Sequence, residues 1–157
     1  MTTDPFTEVL KALWSLLETR PEIVSLVKTK NRIKLWEGAA KQEKIKHSIA
    51  DLPEIIIIPA GGQVQPAATS TGTRITQVYR IIMVDGDLRL HTVFFPLKWA
   101  IIRSLASIDE NFGLSFVKRI LVSDSMDDKN EESHPGWNMG IDIDVEMWFD
   151  REKMKLF

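Results

Sequence analysis

Across 157 residues the chain carries 20 Lys and Arg against 22 Asp and Glu, a formal net charge of −2, so it lacks the basic excess of a nucleic-acid binder. It has no cysteine, which excludes disulfides, thiolate metal sites and cysteine nucleophiles and is compatible with a reducing compartment. With 44% hydrophobic and 27% charged residues it reads as one globular domain, 1–157, large enough to bury a core without covalent staples.

Residues 1–6 are polar and lack the basic and apolar regions of a signal peptide. Asp4 stands as an N-cap ahead of Pro5 in the first helical position, with Glu8 in the first turn. Phe6, Val9, Leu10, Leu13, Leu16 and Leu17 then recur at helical spacing as far as Thr19, a stripe that must pack on something. A short helical turn is expected over residues 21–27. Ile33, Leu35 and Trp36 read as a brief extended piece, and residues 37–50 are polar and lysine-rich without a periodic signal.

Glu54 and the four isoleucines after it, bounded by Pro53 and Pro59, are too short a run for a helix and read as a strand buried on both faces. Residues 60–73 are rich in Gly, Ala, Thr, Ser and Gln and carry no charge, and are expected to form a mobile loop. Residues 75–84 read as a second strand, with Val78, Ile82 and Val84 on one side and Tyr79, Ile81 and Met83 on the other. Asp85-Gly86-Asp87 ends it with turn chemistry.

Residues 88–107 admit two readings. Leu90, Val93, Phe94, Leu97, Ile101, Leu105 and Ile108 fit a helical stripe, although Pro96 inside a helix would cost about 3 kcal/mol. Alternatively residues 88–94 form a strand and the helix starts at Pro96. The stripe continues on both sides of the proline, which favours a kinked helix. That apolar stretch is also broken by Pro96 and Lys98, so it is not expected to cross a membrane.

Residues 116–122 read as a third strand, and 123–136 as a second mobile polar loop containing Asp124, Asp127, Asp128, Glu131 and Glu132. The strongest pattern in the chain follows. Ile141, Ile143, Val145, Met147 and Phe149 alternate with Asp142, Asp144, Glu146 and Trp148, which makes a strand with one apolar and one acidic face. The element order is therefore α-β-β-α-β-β, an α+β chain.

The acidic ladder places its carboxylates ~7 Å apart along one strand face. A solvated or partner-facing surface is the ordinary use of such a face. Its alternative use is a magnesium-type site in a metal-dependent nuclease. His47, His91 and His134 lie in separate elements without ligand spacing, and no nucleophile elbow or phosphate-binding loop is present. Lys41, Lys44, Lys46 and His47 are interleaved with Glu43 and read as a solvated segment. Trp14 and Trp148 lie on otherwise polar faces, as interface aromatics do, whereas Trp36 and Trp99 read as core. No catalytic residue, metal or cofactor is assigned, and no enzymatic activity is expected.

The chain resembles the bacteriophage tail terminator (tail-completion, minor tail) proteins. The likeness rests on the opening helix with Val9, Leu10 and Leu13, the proline-led strand 53–58, and the strand Val78-Tyr79-Arg80-Ile81-Ile82-Met83-Val84. It continues through the helix Ala100-Ile101-Ile102-Arg103-Ser104-Leu105, the acidic loop, Gly136-Trp137 and the final alternating strand. Residues 33–50 are longer than the family pattern. The resemblance implies a mostly antiparallel four-stranded sheet flanked by helices, assembled as a hexameric ring that ends tail-tube polymerisation and joins tail to head. It implies as partners further copies of the chain, the tail tube protein and head–tail connector proteins. DNA would pass through the ring without specific binding, and no membrane is involved. The location would be the virion tail, and the host cytoplasm during assembly. Charge alone motivates a lumen or interface at Asp142, Asp144 and Glu146 and in the loop at Asp127, Asp128, Glu131 and Glu132, and Trp148 joins it as a large aromatic on an otherwise polar face. Another connector or neck protein, the nuclease, and a small dimeric ligand-binding module are the competing readings.

Overall fold

The computed structural model describes residues 4–35, 53–65, 72–85, 92–107, 111–128 and 137–150. Helix α1, Pro5–Thr19, starts where the sequence places its cap. The Asp4 carboxylate accepts from the Thr7 amide and hydroxyl, both at 2.8 Å, and these bonds hold its pKa below the usual carboxylate value. The helix ends at Arg20 because the residue before a proline avoids the helical region; Arg20 is extended (φ −85°, ψ 113°) and Pro21 opens α2, Pro21–Val27. A 3₁₀ turn at Lys30–Arg32 leads into β1, Ile33–Leu35.

The remaining elements are β2, Glu54–Gln65, β3, Gly72–Asp85, α3, Phe94–Ala106, β4, Val117–Asp128, and β5, Trp137–Asp150. The strands form one sheet in the order β1-β2-β3-β5-β4. β1 runs parallel to β2, and every other neighbouring pair is antiparallel. The helices cover one face. Leu13, Leu17, Ile23, Leu97 and Ile101 share a core with Ile57, Tyr79, Ile81, Met83 and the odd-numbered residues 141–149 of β5. Buried Tyr79 donates its hydroxyl proton to the Phe6 carbonyl at 2.8 Å, tying the central strand to α1, and burial pushes its pKa up. On the other face Ile56 and Val84 form a small cluster with Ile58 and Ile82.

The fold is α+β, but its sheet has five strands and is mixed. The brief extended piece at 33–35 is a parallel edge strand, too short to carry a legible period. Six residues of the expected loop 60–73 belong to β2 and two to β3: β2 runs on to Gln65 and β3 begins at Gly72. Beyond Pro59 β2 crosses an irregularity, where Gly61 takes a left-handed φ of 85° and a Cβ on Gly62 would overlap the Thr76 carbonyl. Residues 59–64 are exposed, so no apolar alternation marks them as strand.

The loop expected at 123–136 is likewise shortened. β4 continues through Asp127 and Asp128, paired with Met139 and Asn138. Asp85 is the buried last residue of β3, and Gly86 and Asp87 of the expected turn lie outside the described residues. The kinked helix is also corrected. Residues 92–93 form a turn and α3 starts at Phe94, so Pro96 sits in the first turn, where an amide proton has no intrahelical acceptor to lose. The Leu97 amide makes the early helical bond to the Val93 carbonyl at 2.9 Å. Residues 88–91 lie outside the described set.

Candidate functional site

The sheet face away from the helices is built from alternate residues of β3, β5 and β4. Register sets them in rows: Arg80 beside Asp142 and Ser123, Val78 beside Asp144 and Leu121, and Thr76 beside Glu146 and Arg119. Arg74 neighbours Trp148 in the next row. Because side chains alternate along a strand, this face displays Asp142, Asp144, Glu146 and Trp148 together, as the alternation in β5 requires.

The face is not uniformly negative. Arg80 grips Asp142 with two bonds, Nε to Oδ1 at 2.8 Å and Nη2 to Oδ2 at 3.2 Å, and this carboxylate raises the arginine pKa further. Arg74 Nε lies 3.4 Å from Glu146. Asp144 has apolar register neighbours on both sides. The stripe read from β5 alone is therefore one column of a mixed-charge surface, and net repulsion of an anion is not its evident property.

The other assigned residues divide. Asp127 and Asp128 are backbone-paired in β4, while Glu131 and Glu132 lie outside the described residues, as do His47, His91, His134 and Trp36. Trp14 donates its indole N–H to the Ile33 carbonyl at 3.1 Å and, partly buried, packs against the core, linking α1 to β1. Trp99, read as core, is 60% exposed. It lies one turn from Phe95, also exposed, on the side of α3 opposite the buried Leu97, Ala100 and Ile101. Leu121 and Val122 on β4 are exposed too. The i, i+4 spacing of Phe95 and Trp99, off the Leu97–Ile101–Leu105 stripe, was the available sequence signal for this patch.

A surface cleft of about 430 Å³ is lined by Arg20, Pro21, Glu22, Arg103 and Ser107, between the ends of the three helices. Its carboxylate is engaged: Glu22 lies 3.8 Å from Arg103 and accepts from the Ser104 hydroxyl at 3.3 Å. Among the described residues no histidine lines the cleft. Nor, among the described residues, do three or more histidines and carboxylates gather in a group that could hold a metal ion. No helix among them is long and apolar enough to cross a membrane.

Neither a protein-family model nor a curated protein sequence matches the chain. Solved structures do match its fold. A chain from the virion of a native gene transfer agent particle superposes with a TM-score of 0.56 at 10% sequence identity, covering 88% of this chain and 93% of that one. At that identity the likeness is one of fold.

Proposed function

We propose that this protein is a structural subunit of a phage-like particle and, within that class, a tail terminator. In this reading several copies, six by the family resemblance, close into a ring on the end of the tail tube, stop its growth and present the surface that meets the head–tail connector. The single observation that carries the reading is the fold, shared over most of both chains with a component of a gene transfer agent virion. The arrangement of the strands supports it. Beyond Pro59, β2 continues along β3 as an exposed edge strand past the end of β1, and β4 is the other edge of the sheet among the described residues, extended pieces of the kind that neighbouring subunits engage. The compensated charge of the outer face suits contact with a surface better than catalysis.

The protein acts in this reading without enzymatic activity, in the virion tail and, during assembly, in the host cytoplasm. DNA passes through the ring unbound. Electron microscopy of purified tail tubes mixed with the protein tests the role: density at the tube tip and tubes of fixed length support a terminator. Binding to the portal-proximal connector instead would move the protein to the neck. A nuclease assay with magnesium or manganese, with Asp144→Ala as control, tests the enzymatic alternative; metal-dependent cleavage lost in the variant would overturn the structural role.

A further inference from the structure

We infer that the chain between β1 and β2, residues 36–52, crosses the sheet on the face away from the helices and lies over the Ile56–Val84 end of that face. The outer face is not evenly exposed. With Ile55, Ile57, Ile81 and Met83 in the helix-side core, alternation turns Glu54, Ile56, Ile82 and Val84 outward. Glu54, Ile56 and Val84 are nevertheless only 2%, 8% and 2% exposed. Ile56 and Val84 cluster with Ile58 and Ile82, and no helical residue among those described belongs to the cluster. Glu54 meets Lys34 of β1 at 3.1 Å, but that lysine side chain is itself 47% exposed and is no cover. Further along β3, Val78 is half-buried and Arg74 exposed. Burial is therefore confined to one end of this face, where no described helix or strand lies over it.

Topology selects the segment. β1 and β2 are parallel neighbours, so the chain leaving Leu35 must run back against the strand direction before it enters β2, on one face or the other. Connections between parallel strands of one sheet are right-handed in about 98% of cases. β3 and β4 are both antiparallel to β5 and hence parallel to each other, and the connection between them carries α3 on the helix side. Both connections advance the same way along the order β1-β2-β3-β5-β4, but β1 and β2 point opposite to β3 and β4. Two right-handed connections that advance in one direction from oppositely directed strands use opposite faces. With α3 on the helix side, residues 36–52 take the outer side, which is where the burial lies.

The ends and content of the segment agree. Leu35 is level with Ile57, four residues past Pro53, or about 13 Å at ~3.3 Å per residue, so residues 36–52 have chain to spare for the return. They bring Trp36, Ile45, Ile49 and Leu52 as apolar side chains to set against Ile56, Ile82 and Val84. Residues 151–157 leave from Asp150, which pairs with Gly72 at the far end of β3, and are too short to return along that strand to Val84. The crossing is independent of the terminator role. It confines any partner of the outer face to the Arg80–Asp142 row and the rows of Asp144, Glu146 and Trp148 beyond it.

The native chain has no cysteine, so a pair of introduced thiols reports its own proximity. With Ile82→Cys as the outer-face reference, oxidation should give an intramolecular disulfide with at least one of Ile45→Cys, Ile49→Cys and Leu52→Cys, since bridged residues have Cα atoms roughly 4.4–6.8 Å apart. With Leu26→Cys on α2 as the helix-side reference, none of the three should bridge. The unaltered protein gives a second measurement that no substitution can disturb. A zero-length carbodiimide should join Lys41, Lys44 or Lys46 to outer-face carboxylates such as Asp142, and not to Glu18 or Glu22 of the helices. Disulfides to Leu26→Cys, or lysine links to Glu18 or Glu22, would put the segment on the helix side and overturn the crossing. Disulfide-linked dimers through Ile82→Cys in place of the intramolecular bond would put a second copy on the face and overturn it too. So would the absence of an intramolecular bond in all three Ile82→Cys pairs. Tube-tip binding remains a separate observation for or against the terminator role.

Discussion

The two faces of β5 are made by the same fourteen residues and do opposite work. On the helix side Ile141, Ile143, Val145, Met147 and Phe149 are buried, and they meet Tyr79, Ile81 and Met83 of β3 together with the helical layer. On the outer side Asp142, Asp144, Glu146 and Trp148 are half-buried, and Asp142 and Glu146 reach sideways to arginines of the neighbouring strand. Apolar burial is non-directional and summed over many atoms, so the first face sets the stability of the fold. Half-exposed ion pairs contribute little to stability but fix where charge is displayed, so the second face is free to serve recognition. A substitution on one face should therefore change folding, and its neighbour one residue away should change assembly.

The sharpest way to break that contrast is to truncate adjacent residues. Ile143, fully buried, becomes a cavity in Ile143→Ala, which should lose about 2–5 kcal/mol in urea unfolding. Asp144→Ala beside it should stay within about 0.5 kcal/mol. Equal losses would mean that the outer face is also a core, covered by something in the native state. Next in size is Tyr79→Phe, which keeps the ring and removes the donor to the Phe6 carbonyl. The loss should be about 1 kcal/mol, with somewhat more if the carbonyl stays dry.

The pH dependence of the helical layer sharpens the comparison from the other side. The carboxyl of Asp4 is held below its ordinary value by bonds from Thr7. Its contribution is complete above the unfolded carboxylate pKa and fades as pH falls through the folded one. In Asp4→Asn, acid titration of the thermal midpoint should lose that segment of its slope, while the midpoint at neutral pH changes little because asparagine also caps. An unchanged acid slope would show that the Thr7 bonds do not act on the charged form.

What the chain displays in advance follows the same division. The cap at Asp4, the proline at position 21 and the alternation of β5 are local, and all are visible in sequence because each depends on residues a few positions apart. β1 was legible only as an extended piece, since three residues fix neither its partner nor its parallel direction. The outer part of β2 was read as a loop because an exposed strand needs no apolar alternation, and residues 123–128 of β4 because their sequence is polar. At the candidate site the carboxylates of β5 were legible and their arginine partners were not. Arg80 and Asp142 stand 62 positions apart, and only the register of β3 on β5 brings them together. Trp99 was placed in the core on size alone, although its spacing from Leu97 and Ile101 puts it on the opposite side of α3.

The smallest expected effect is also the most diagnostic. Arg80 and Asp142 form a two-bond pair whose side chains remain 36% and 18% exposed, so solvent screens part of the attraction. A double-mutant cycle with Arg80→Ala, Asp142→Ala and the double variant should give a coupling of about 0.5 kcal/mol, falling in high salt. The same variants should alter particle assembly by more than this stability change accounts for, if the outer face meets a partner. Removing Arg80 leaves Asp142 charged and uncompensated, whereas removing both leaves the face neutral at that row. A contact that needs the display of charge should therefore fail in both single variants and partly recover in the double. A purely structural pair should instead show assembly tracking stability across all three.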